Sequence, residues 1–220
     1  MDRFDVVALG ELLVDFTEHG VSTRNNPVFE ANPGGAPCNV LAMLQKLGAK
    51  TAFIGKVGND SFGKQLREVV AAQGIDTRNL MTDDKVPTTL AFVQTAPDGE
   101  RDFSFYRNPG ADLMLTESDV DRSLLQHTRL FHFGSLSMTA QGAEAATKLA
   151  VETAKSAGAL ISFDPNLRPP LWESLDVARE KIAYGISQCH ILKISDEEIS
   201  FFTGSEDVDE GVSVIREQYH

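Results

Sequence analysis

A chain of 220 residues has room for one large domain or two small ones, and for a sizeable core. With 42% apolar and 24% charged residues it has the composition of an ordinary globular protein, and a net charge of −12 excludes nucleic acid as its main partner, because phosphate binding needs clustered Lys and Arg. Its two cysteines, Cys38 and Cys189, lie far apart and outside any Cys/His cluster, which indicates neither a disulfide framework nor a zinc site and fits a reducing, cytoplasmic setting.

The first element is a short apolar run ending in glycine, Asp5–Gly10, which reads as a buried strand. Residues Val14–Phe29 are polar and broken and read as a β excursion. They lead into "NPGGAPCNV", where two glycines precede Pro37 and an apolar run. Proline suits the first helical turn. Val40, Leu44 and Leu47 recur at helical spacing beside Met43, so a helix over Pro37–Leu47 is expected, ending at Gly48. A glycine turn opening a helix leaves N–H groups able to hold a polar or anionic ligand. It equally fits a tight turn that only lets helix and sheet pack.

A strand at Thr51–Ile54, a glycine-rich turn and a second helix follow; Asn59 or Asp60 caps that helix, Phe62, Leu66, Val69 and Val70 form its apolar face, and Gly74 stops it. Thr88–Thr95 and Arg101–Arg107 flank "APDGE", whose Asp98-Gly99 is a hairpin signal. Arg129–Ser135, Ala159–Asn166 and Cys189–Ser195 read as buried strands, with helices at about 142–157 and 176–187 between them. Strands alternating with helices predict an α/β fold with a mostly parallel sheet flanked by helices on both faces. The excursions at about 14–34 and 87–107 stand outside that alternation, as a small β lid or as an edge hairpin on the main sheet. No GxGxxG follows the first strand and no GxxxxGK[ST] occurs, which excludes a Rossmann dehydrogenase and a P-loop enzyme. No uncharged run of about 18 residues suggests a membrane span.

In open parallel sheets, ligands bind beyond the carboxyl ends of the strands. Asp15 stands there after the first strand, and so do Asp164, Asn166 and Arg168 of "DPNLR"; the Arg168 guanidinium suits an anion. In "KISDEE", Glu197 or Glu198 could help place Mg²⁺, or the stretch is a helix N-terminus capped by Ser195. His132, inside a strand, reads as a core residue.

Together, "GGAPCNVLAMLQKLGAKTAFIGKVGNDSFG", "FSFYRNPGAD", "FDPNLRPPLW" and "KISDEEISFFTG" resemble the ribokinase-like (pfkB) carbohydrate kinases, in their fructokinase branch, over essentially the whole chain. The resemblance implies ATP-dependent phosphoryl transfer to a sugar hydroxyl, with D-fructose as substrate and ATP and Mg²⁺ as cofactors. It implies sugar contacts from Asp15, Gly34, Gly35, Asn39, Phe105, Arg107 and Arg168, the last to sugar or phosphoryl group. Asn166, Lys193 and Glu198 fall on the nucleotide side, with Glu198 supporting the metal through water; Ser195 stands where most of the family has Asn. Cys38 stands where a small residue is common and reads as a buried, inert thiol. The lid would close on the sugar and form a homodimer contact.

One family element is missing. The G-A-G-D signature, which carries the catalytic Asp base, does not occur before His220. The expectation is therefore a single ribokinase-like domain over 1–220, incomplete at its C-terminus and inactive by itself, whose natural chain continues. A ketodeoxygluconate kinase is the enzymatic alternative. A sugar-binding or regulatory protein that ends at His220 is the non-enzymatic one.

Overall fold

The computed structural model describes residues 3–95 and 101–219. The Asp98-Gly99 turn lies outside the described residues. In chain order the elements are β1 (Phe4–Leu9), β2 (Leu13–Val21), β3 (Pro27–Gly34), α1 (Ala36–Lys46), β4 (Thr51–Gly58), α2 (Ser61–Ala72), β5 (Asp76–Asp83), β6 (Leu90–Thr95) and β7 (Arg101–Tyr106). They continue with α3 (Arg122–Gln126), β8 (Thr128–Gly134), α4 (Gln141–Ser156), β9 (Leu160–Asp164), α5 (Leu175–Gln188), β10 (Ile191–Leu192), α6 (Asp196–Thr203) and α7 (Val208–Tyr219).

Six strands form the body sheet in the order β10-β9-β8-β1-β4-β5, every pair parallel. Both faces are covered, which is why its strands read as apolar runs. Val7 and Leu9 of β1 point to one face, with Phe131, Phe133, Phe163 and the alanines of α4. Val6 and Ala8 point to the other, with Phe53, Leu41 of α1 and Leu66 and Val70 of α2. His132 is buried in the sheet, its Nδ1 3.1 Å from Ser162 Oγ, and burial depresses its pKa to about 4.

Four differences from the sequence reading have physical causes. The chain does not turn after Ile54: β4 runs on through Gly55 to Gly58 because each residue there finds a partner in β5. β5 itself was not expected, since "DTRNLMTD" is a polar edge strand; it is fastened by buried Asn79, whose side chain donates to Asp119 O (2.6 Å) and accepts from Asp121 N–H (2.7 Å). The last strand is two residues long, because the chain leaves the sheet toward Ser195, which caps α6. The buried residues of α1 are Pro37, Cys38 and Leu41, while Met43 and Leu47 are exposed.

The second sheet has the order β3-β2-β6-β7, with β2 and β6 parallel and the outer pairs antiparallel. Its alternation separates two faces. Leu13, Asp15, Thr17, Val93, Phe103 and Phe105 face one cavity. Phe16, Phe29, Phe92 and Tyr106 make ring contacts with one another on the opposite face. Asp60, the N-cap of α2, accepts from Gly63 N–H and from both the N–H and the hydroxyl of Thr88, fixing the start of β6 to the body (2.8 Å each).

Gly185 of α5 lies on the Phe163 ring, where a Cβ would stand 2.3 Å from a ring carbon. Helix propensity alone favours alanine there by ~1 kcal/mol. Overpacking a core contact costs about 1–3 kcal/mol, so Gly185→Ala is expected to destabilise the protein in denaturant unfolding. A more stable variant would show that the helix moves away without cost.

Candidate functional site

A cavity of about 560 Å³ lies between the strand ends of the body and the inward face of the small sheet. Asp15, in β2 opposite Asn32 of β3, is half-buried on its wall. Among the described residues nothing donates a hydrogen bond to its carboxylate. Burial pushes its carboxyl above the usual range, and the charge of Arg168 opposes that rise. Gly34 stands directly behind it, where a Cβ would meet Asp15 Oδ2 at 2.2 Å. Glycine is therefore what lets the aspartate point into the cavity.

Gly35 caps α1 at φ 118, a backbone region that side chains avoid. A Cβ there would also collide with Glu11 O at 2.3 Å. The Ala36 N–H donates to Glu11 Oε1 (2.9 Å), Pro37 has no N–H, and the Asn39 N–H returns to Gly35 O (3.0 Å). Glu11 is thus an anionic group of the protein itself that takes the Ala36 N–H at this helix start. Glu11 is 3% exposed, and burial pushes its carboxyl up. It also lines the cavity, as does Asn39 on the rim. Nearby Cys38 is buried with its thiol pushed up to about 12, which makes it inert.

The loop after β9 supplies the opposite wall. Asn166 sits at φ 44, a conformation Asn tolerates better than most residues. Arg168 donates to Leu167 O (2.9 Å) and lies over the Phe103 ring at 5.4 Å, a cation–π contact between body and small sheet. Phe103 and Phe105 stack at 5.9 Å.

Asp15, Gly35, Asn39, Phe105, Asn166 and Arg168 thus share one cavity, with Gly34 behind it. Three expected residues are elsewhere. Arg107 is buried and directed at Asp112, Thr139 and Leu136 O, so it offers this cavity no free guanidinium. Lys193 is exposed, its Nζ 3.3 Å from Asp164 Oδ2. Glu198 completes the capping box of α6, its Oε2 accepting from Ser195 N–H (2.9 Å), while its Oε1 accepts from Leu167 N–H (2.8 Å). Both oxygens are thus engaged, and among the described residues no cluster of three or more potential ligands forms a metal site. Sequence reasoning missed Glu11, Thr17, Asn32 and Phe103 on the wall. The available signals were the acidic residue following Gly10 and the period-two partners of Asp15 and Phe105.

The profile of the pfkB family carbohydrate kinases matches residues 3–220. The chain belongs to this family. Among pfkB-family relatives, it is 42% identical over 217 residues to Probable fructokinase-7 of Arabidopsis thaliana and 44% identical over 209 residues to Fructokinase-1 of Oryza sativa. These matches cover 98% and 94% of this chain, but the chain spans only 63% and 65% of the relatives' own length. The fold matches Xylella fastidiosa fructokinase with bound ATP at TM-score 0.88 and 31% identity, over 98% of this chain and 69% of that one. It also matches Vibrio cholerae O395 fructokinase in its fructose, ADP and calcium ion bound form, at TM-score 0.88 and 30% identity, over 98% and 68%. The parallel body sheet of this pfkB-family chain is the fold expected from its sequence. No helix of the described residues is long and apolar enough to cross a membrane.

Glu11 yields a stability prediction with a definite sign. Its folded-state pKa is raised, so its contribution is fully present below the ordinary value of 4.5 and is lost as pH rises through the folded-state value. Glu11→Gln keeps an acceptor for Ala36 N–H without the buried charge and is expected to unfold at no lower denaturant concentration than the wild type at pH 7. Glu11→Ala orphans that N–H and is expected to cost about 1–3 kcal/mol. Equal stability of the alanine variant would remove Glu11 as the cap of α1.

Proposed function

We propose that the cavity binds D-fructose and that the whole protein transfers the γ-phosphoryl group of ATP to one of its hydroxyls. The observation that carries this reading is Asp15, a half-buried carboxylate in the cavity with no hydrogen-bond donor among the described residues. A ligand rich in hydroxyl donors satisfies it, and a site built to hold hydroxyls rejects analogues that lack them. Apart from Glu11 and Arg168, the rest of the wall is uncharged: the amides of Asn32, Asn39 and Asn166, the Thr17 hydroxyl, two aromatic rings and small or aliphatic residues. That composition also favours fructose over ketodeoxygluconate in this reading. A substrate carboxylate would call for further cationic partners, and among the described residues Arg168 is the one cation lining the cavity.

In this reading the small sheet is the lid, and its Phe103 and Phe105 form an apolar wall against the sugar ring. Asn39 adds a hydroxyl contact, and Asn166, expected on the nucleotide side, lines the same cavity as Asp15 and is read here as a further hydroxyl contact. Arg168 is assigned to the charge of the transferred phosphoryl group, since charge stabilisation with positioning supplies most of the catalysis in phosphoryl transfer. Lys193 and Glu198 are assigned to the nucleotide side. Mg²⁺ would arrive with ATP and neutralise its phosphates, with Glu198 reaching it only through water. The general base is expected in the family's G-A-G-D element rather than on this cavity wall. The fructokinase names of the relatives and the bound fructose and nucleotides named for the solved structures support the same assignment. Two free, buried cysteines suit a cytoplasmic protein.

Asp15→Ala is expected to reduce D-fructose affinity and kcat/KM by about 2–4 kcal/mol while leaving ATP binding unchanged. Because burial raises the Asp15 pKa, fructose affinity should fall on acidification at a pH above the ordinary carboxylate value of 3.8. Calorimetric titration and a coupled assay with fructose, ribose and ketodeoxygluconate check both statements. Wild-type sugar kinetics in the variant would remove Asp15 from the site, and fructose binding without turnover in the whole protein would support the regulatory alternative.

The outward face of the lid is the proposed dimer contact. Val21 and Tyr106 are each 66% exposed there, beside Phe29 and Phe92. Sedimentation velocity is expected to show a dimer that Tyr106→Lys dissociates; a wild-type monomer at micromolar concentration contradicts this.

A further inference from the structure

We propose that Arg107 is a positioning residue: its buried ion pair with Asp112 pins the stem of the β6–β7 hairpin to the body and so sets where Phe103 and Phe105 stand on the cavity wall. The two side chains are 3% and 2% exposed. Arg107 Nε and Nη2 both donate to Asp112 Oδ2, Nη2 also to Leu136 O (3.0 Å), and Nη1 to Thr139 Oγ1 (3.1 Å). A guanidinium has five N–H groups, so this network engages nearly all of them and leaves little for a ligand.

Asp112 holds both stems of the hairpin. Its Oδ2 takes Arg107, which follows β7, and its Oδ1 accepts from the hydroxyl of Thr89, which precedes β6. Thr89 is 1% exposed. The close approach depends on Gly110, where a Cβ would fall 1.8 Å from Thr89 Oγ1 and 2.8 Å from Asp112 Oδ1. Phe105 and Phe103 lie two and four residues before Arg107, on the same face of β7, paired with Ala91 and Val93. Leu136, whose carbonyl accepts from Arg107, is itself on the cavity wall. The clamp therefore touches the cavity through its neighbours on both sides. Its effect on sugar binding rests on the reading of that cavity as a fructose site, whereas the clamp itself does not.

Hydrogen exchange and fructose titration on the whole protein separate the two. Asp112→Asn and Arg107→Lys are each expected to speed amide exchange across Phe103–Tyr106 by about tenfold or more, with β1 and β4 unchanged. Both should weaken fructose binding, and the combined variant should bind no more weakly than the worse single one, because both act through one contact. If a single variant also loosens β1 and β4, Arg107→Met with Asp112→Leu removes both buried charges together and carries the same expectation. Unchanged exchange across Phe103–Tyr106 overturns the clamp. Fructose affinity that survives Asp112→Asn but not Arg107→Lys overturns it in favour of direct sugar contact. A wild-type protein that binds no fructose refutes the sugar reading, and the exchange result then decides the clamp.

Discussion

The small sheet is held over the strand ends of the body by carboxylates placed where the chain crosses between the two layers. Glu11 takes the Ala36 N–H where β3 returns to α1. Asp60 takes the N–H and hydroxyl of Thr88 where the chain leaves for β6. Asp112 takes Thr89 and Arg107 where that hairpin departs and returns. Hydrogen bonds to ionised groups in partly buried settings are stronger than neutral ones, and losing one partner leaves a costly buried charge. The body sheet, with helices on both faces, has no open face of its own. The cavity between the two sheets lies at the strand ends, and these anchors fix its roof.

That arrangement sorts the acidic residues by role. Glu11 lines the cavity but is occupied by a backbone N–H. Asp15 lines it unoccupied, with its approach kept open by Gly34. Burial raises the cost of its charge, and a hydroxyl donor in the cavity would offset that cost. Arg168 tempers this by charge alone, and its own position is set by Leu167 O and the Phe103 ring.

What could be read from the sequence follows from the range of the interactions involved. The strands of the body were legible because burial on both faces makes them apolar runs, and the Ser195 cap of α6 because it is local. β5 was not, since an edge strand held by Asn79 and by pairing with β4 has no apolar signature. Asp15, Gly34, Gly35, Asn39, Asn166 and Arg168 came from motifs, and the fold brings them to one cavity or directly behind it. The same motif implied that Arg107 reaches the ligand. Its partners Leu136 and Thr139, 29 and 32 residues away, are visible only in the folded chain. The capping role of Glu11, 25 residues from Ala36, was hidden for the same reason.

The central claim is that Asp15 is the acceptor for a neutral, hydroxyl-rich sugar held between the two sheets. A crystal structure of the protein with D-fructose tests it most directly. The account predicts sugar hydroxyls within hydrogen-bond distance of both Asp15 carboxylate oxygens, with Asn39 and Asn166 beside them and Phe103 and Phe105 against the ring. A sugar bound elsewhere, or one bound while Asp15 turns away from it, would contradict the account.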